Sequence, residues 1–119
     1  MSLVRRLLER LNESDETRLA EETRAWADTI EGSVRIADAP LRQPVKIAGV
    51  IRRITVLPME GKEALQALLS DGTGEVTAVF MGRRGIGGLS LGKRVVVEGV
   101  LGEQRGETRL VNPRLEFAG

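Results

Sequence analysis

The chain has 119 residues, 41% of them hydrophobic and 29% charged, with a net charge of +1 and no histidine, cysteine or tyrosine. That composition describes one ordinary globular domain, and it excludes a disulfide framework, thiolate metal sites and nucleophilic chemistry built on Cys or His. The charge is unevenly divided: residues 1–31 carry five arginines against eight acidic residues, net −3, which leaves +4 on residues 32–119.

All fourteen glycines lie at or after Gly32, so a boundary is expected near Glu31-Gly32, with a helical extension over 1–31 and a β domain over 32–119. In the first part Leu3, Val4, Leu7, Leu8 and Leu11 repeat at the spacing of one helix face. Leu19, Thr23, Trp26, Ala27 and Ile30 take up such a stripe after a polar interruption, where Ser14 or Asp15 can cap a new helix. The expectation is two helices or one kinked helix. The apolar segment from Leu3 to Leu11, with its arginines, suits packing on the β domain or pairing between chains better than a membrane surface, because Glu9 and Glu13 dilute its positive face. Trp26 reads as an apolar anchor on the β domain rather than a stacking platform. The first residues lack the apolar run of a signal peptide, no stretch is long enough to span a membrane, and the cysteine-free chain is expected in the cytoplasm.

A short strand at Val34-Arg35-Ile36 is expected first, then a loop containing Pro40 and Pro44. The first long strand begins at Val45, turns Val45, Ile47 and Ile51 inward, and bends or bulges near Gly49; Arg52-Arg53 breaks the alternation, and Ile54 and Val56 resume it on the other parity. A second strand, Ala64 to Ser70, points Leu65, Ala67 and Leu69 inward. Asp71-Gly72-Thr73-Gly74 makes a tight turn in which Asp bonds its own backbone. The third strand, Glu75 to Met81, points Val76, Ala78 and Phe80 inward. A glycine-rich connection follows, too poor in helix formers for a good helix, and then strands at Arg94 to Leu101 and Glu107 to Val111 joined by a turn at Gly102 to Gly106. Leu115 and Phe117 are expected to complete the core.

Five strands in this order, with Leu69-Ser70-Asp71-Gly72-Thr73-Gly74-Glu75-Val76, Phe80, Gly92-Lys93-Arg94-Val95-Val96-Val97-Glu98-Gly99 and Leu110-Val111-Asn112-Pro113, resemble the OB-fold family of nucleic-acid-binding domains over residues 44–117. The likeness is to small stand-alone actinobacterial OB-fold proteins, to the anticodon-binding type of OB domain and, more distantly, to the wedge domain of branch-migrating helicases. Fifteen arginines to three lysines suit a bacterium with a GC-rich genome. The resemblance implies a mainly β, five-stranded Greek-key barrel. It also implies a binding surface on the outer face of strands 2 and 3 (Gln66, Leu68, Thr77, Val79, Met81), flanked by the loops Pro58 to Lys62 and Gly102 to Gly106.

No aromatic residue falls on that face, so base stacking is not its expected means of binding. Arg52, Arg53, Lys62, Arg83, Arg84, Arg105 and Arg109 are the candidate phosphate contacts of a weak, largely sequence-independent binder of single-stranded DNA or RNA, accessory to replication, repair or recombination. The alternative is a protein-interaction or assembly module, with Leu68, Val79 and Met81 as an exposed apolar interface to a second copy or another protein. Gly82-Arg83-Arg84-Gly85 lacks the Lys-Ser or Lys-Thr of a phosphate loop, and Asp71 and Glu75 are explained by turn chemistry rather than a metal. No cofactor, metal or catalytic activity is expected.

Overall fold

Without glycine or proline to interrupt it, the start of the chain forms one helix, α1 (Leu3–Ala27), in a computed structural model that describes residues 3–118. The second N-cap expected at Ser14 or Asp15 is not used, and the helix runs through both. Thr17 Oγ1 donates to the Glu13 carbonyl at 2.9 Å, so a residue of the polar interruption hydrogen-bonds within the helix. Residues 28–43 then lead into the barrel through a single 3-10 turn (Ile36–Asp38), which replaces the strand expected at Val34-Arg35-Ile36. Val34 still makes one ladder-like bond, donating to Lys46 O at 2.8 Å.

Six strands follow: β1 (Pro44–Met59), β2 (Lys62–Ser70), β3 (Glu75–Met81), β4 (Arg94–Gln104), β5 (Glu107–Val111) and β6 (Arg114–Phe117). The order β1-β2-β3-β5-β4 closes through an antiparallel β1–β4 pairing into the five-stranded ring of an OB fold, and β6 adds to β4 outside the ring. The sixteen-residue β1 makes closure possible by changing partner midway. Pro44 to Val50 pairs with β4, and Val50 to Met59 pairs with β2. The bulge that turns this corner lies between Ile51 and Arg53, beyond Gly49. Gly49 instead permits a close approach, since a Cβ there would stand 2.9 Å from Ser70 O.

Ile47, Ile51, Leu65, Leu69, Val76, Val95, Val97, Leu101 and Leu110 fill the barrel, as alternation requires, with Ile86 and Leu89 of the β3–β4 connection and Leu115 packed against them. Phe117 departs from expectation: it is 44% exposed and lies against Gly88 rather than in the core. Val56 is likewise exposed, because the β1–β2 hairpin extends past the barrel.

Two of the connections are tighter than the sequence suggested. The β1–β2 loop is only Glu60-Gly61, and the β4–β5 loop only Arg105-Gly106; positive φ at both residues of each (50° and 77°, 53° and 80°) makes them type I′ turns. The expected loops, Pro58 to Lys62 and Gly102 to Gly106, are therefore mostly strand.

The β2–β3 turn is organised by Asp71, whose side chain is 2% exposed. Its Oδ1 accepts from Thr73 N (2.8 Å), Thr73 Oγ1 (2.6 Å) and Gly74 N (3.2 Å). Its Oδ2 accepts from Ile36 N at 2.8 Å, so the same carboxylate ties the 3-10 turn to the barrel. The helix packs beside this turn and across the outer face of β1 and β4, where Ala27, Trp26 and Ile30 meet Ala48 and Val96. Trp26 is thus an anchor, with the Arg94 guanidinium 5.0 Å from its ring centroid.

Candidate nucleic-acid interface

The outer face of β2 and β3 is left uncovered by α1, which lies on β1 and β4 instead. Strand register arranges this face in rows, because residues directly opposite on neighbouring strands point the same way. One row runs Arg53, Leu68, Thr77, Arg109 across β1, β2, β3 and β5. The next runs Thr55, Gln66, Val79, Val111. The first row has an apolar and hydroxyl floor with an arginine at each end, about 14 Å apart at three strand spacings.

The β1–β2 and β4–β5 hairpins rise on either side and make this face a groove. Contiguous hollows along it are lined by Arg53, Leu57, Gln66, Leu68, Thr77 and Glu107. Toward the hairpin ends it continues past Met59, Gln104 and Arg109. Gln66 Nε2 donates to Met59 Sδ at 3.4 Å, and Thr108 Oγ1 to Glu75 O at 3.0 Å, which hold the two walls.

The seven basic candidates separate. Arg53 and Arg109 line the groove, and Arg105 occupies the tip of its β4–β5 wall beside Gly106. Arg52, one residue from Arg53, faces the other way across the bulge into a cleft against α1. Lys62 opens β2 at the hairpin turn, and Arg84 is drawn to Glu63 by an ion pair of 2.8 Å. Arg83 lies beside it in the β3–β4 connection, past the end of the groove floor. The structure therefore does not bring the seven into one track. Nor do Leu68, Val79 and Met81 form an exposed apolar row: Val79 is 1% exposed, and the other two are half-buried.

Glu107 was not a sequence candidate, yet it lines the groove throughout, with Glu75 near one end. Its position depends on the parallel β3–β5 pairing, which no local pattern announces. Inside the groove Arg53 and Arg109 are offset by Glu75 and Glu107, which leaves the lining close to neutral, and Arg105 adds its charge only at the rim. Among the described residues, no group of three or more His, Cys, Asp or Glu is placed to hold a metal ion.

The OB-fold nucleic acid binding domain model of the tRNA anticodon type matches residues 45–118. The chain belongs to that family. This OB-fold protein is similar in structure to the OB domain of Ta0387 from Thermoplasma acidophilum, with a TM-score of 0.56 and 21% identity over 72% of this chain and 86% of that one. It is also similar to a chain of a replication protein A heterotrimer bound to single-stranded DNA, with a TM-score of 0.52 and 14% identity over 76% of this chain and 68% of that one. At these identities the likeness is one of fold. No curated protein matches the chain. Among the described residues, no helix is long and apolar enough to cross a membrane.

Proposed function

We propose that the groove binds single-stranded nucleic acid weakly and with little sequence preference, without catalysis, as a cytoplasmic accessory to DNA replication, repair or recombination. The observation that carries this reading is the row with Arg53 and Arg109 at its ends, on the open face of a family of nucleic-acid-binding barrels. The replication protein A chain, described as bound to single-stranded DNA, supports a single strand as the ligand. Phosphates would lie against Arg53, Arg109 and Arg105 at the rim. Gln66 and Thr77 on the floor have amide and hydroxyl groups suited to sugars and base edges, in place of stacking rings.

Three phosphate contacts set an affinity that falls with salt at a log–log slope of about −2, from roughly −0.7 per contact on a single strand. Fluorescence anisotropy with labelled single-stranded DNA, duplex DNA and RNA across salt concentrations reads that slope. Arg53→Ala with Arg109→Ala should reduce it to about −0.7, whereas Arg52→Ala and Arg84→Ala should leave it unchanged. Binding absent at low salt, or lost equally with Arg52, would overturn the reading.

The near-neutral lining supports a second reading, in which the groove takes a polypeptide between Arg53, Glu107 and Arg109. Its signature would be failure to bind any nucleic acid together with capture of a partner protein that Leu68→Glu abolishes.

A further inference from the structure

Two features on the helix side of the molecule are left without a partner by the chain's own fold. The first is the part of α1 from Leu3 to Leu19, ahead of the segment that packs on the barrel. Every residue from Leu3 to Leu19 is exposed, including Leu3, Val4, Leu7, Leu8 and Leu11 on one face, and Ala27 is the only residue of the helix that is buried. Those seventeen residues represent about 26 Å of helix at 1.5 Å per residue. A single helix of that length is marginal in water, because most helical stability in proteins comes from packing an apolar face.

The second is a cleft of about 430 Å³ between the latter half of α1 and the barrel. Leu19, Thr23, Val50 and Leu91 line it, with Glu22 and Arg52 among its charged groups. Leu91 and Leu19 are 66% and 53% exposed. The apolar end of the helix does not reach this cleft in its own chain: Leu3, Val4, Leu7, Leu8 and Leu11 are exposed and none of them lines it.

We infer that the occupant is a second copy of this chain: two α1 helices pack antiparallel, and the Leu3–Leu11 face of each seats in the other's cleft. The charges along the helix support this pairing. Between residues 3 and 12 the ionic side chains are Arg5, Arg6, Arg10 and one acid, Glu9; between 13 and 22 they are Glu13, Asp15, Glu16, Glu21, Glu22 and one base, Arg18. Antiparallel pairing lays the basic half of each copy along the acidic half of the other. A register with Leu7 opposite Leu19 also places Arg10 opposite Glu16. Antiparallel helices also align their dipoles favourably, and here the first turn of α1 has no acidic residue of its own to offset its positive end. The contact is two-fold, so it is made twice and closes on itself without generating fibres.

Sedimentation velocity of the full chain over a range of concentrations tests this. The expected result is a species of twice the chain mass. Leu7→Glu with Leu8→Glu should make it monomeric, and so should Leu91→Glu, which leaves the helix untouched. Arg10→Glu should weaken the dimer about tenfold or more, and adding Glu16→Arg should restore it. That rescue is not expected of a variant that merely misfolds, and thermal unfolding of the barrel serves as the folding control. A wild-type monomer at every concentration overturns the inference, including one that instead binds anionic lipid vesicles. A dimer indifferent to Leu91→Glu, or one with no charge-swap rescue, overturns the seating in the cleft.

Discussion

In the barrel, inward residues such as Ile47, Leu65, Val76, Val95 and Leu110 are withdrawn from water, whereas along α1 from Leu3 to Leu19 every residue faces it. The aliphatic content of the two regions is not what separates them. Leu8 is 55% exposed and Leu69 fully buried, although both sit in regular, apolar-patterned elements. The difference lies in closure. A ring of strands supplies each inward side chain with neighbours from the same chain, while a lone helix has a face that only another element can cover. The barrel core is therefore filled by residues from Ile36 onward, and the helix carries apolar surface that its own fold does not use.

The sharpest way to break this contrast is a matched pair of truncations. Leu69→Ala opens a cavity in the ring and should destabilise the protein by about 2 to 5 kcal/mol in denaturant unfolding. Leu8→Ala, at dilutions where chains are separate, should stay within about 0.5 kcal/mol. A large effect of Leu8→Ala in dilute protein would mean that the helix is packed on its own barrel after all.

Next in size is Asp71→Ala. It leaves the N–H groups of Ile36, Thr73 and Gly74 without their acceptor, two of them inside the turn and one on the connector, and should cost about 2 to 3 kcal/mol. Amide exchange should quicken at Ile36 as well as at the turn, which distinguishes a broken tie from a locally weakened hairpin. Gly72→Ala should act on the join between the two regions. At φ 87° a Cβ is strained, and it would also collide with the Ala20 carbonyl oxygen. A loss of about 1 to 2 kcal/mol is expected, with faster exchange along α1 and the barrel core unaffected.

The smallest effect belongs to Asp28 and Arg35, which form a forked ion pair just past the end of α1, at 3.2 and 2.7 Å. The hydrogen bond from Arg35 holds the Asp28 carboxyl below its usual range. A carboxyl depressed in the folded state adds stability above its unfolded pKa and loses it as pH falls through the lower, folded value. Asp28→Asn should therefore match the wild type in strong acid and fall slightly behind it at neutral pH. Both partners are largely in water, so the gap should narrow with salt.

The barrel was legible in the sequence because its constraints are local. Leu65, Ala67 and Leu69, or Val76, Ala78 and Phe80, declare their faces by alternation, and Asp71-Gly72-Thr73-Gly74 declares its turn by composition. The hairpin at Glu60-Gly61 was missed because its first residue takes positive φ without being Asn or Gly. The continuous helix was missed because Ser14 and Asp15 suit a cap as well as an exposed helical surface. For the groove, Arg53 and Arg109 were readable only as two of seven basic candidates. Setting them apart from Arg52 and Arg84, or finding Glu107 between the walls, required the bulge and the β3–β5 register, which are properties of the closed ring.

The bulge at Arg52 has a thermodynamic consequence. Arg52 borders the cleft beside α1 and Arg53 the groove, so a single peptide unit joins the two surfaces. Any occupant of the cleft that favours one setting of the bulge over another changes the groove's affinity by some factor. Reciprocity then obliges a strand in the groove to change the occupancy of the cleft by the same factor. Affinity measured for one surface would then depend on the state of the other.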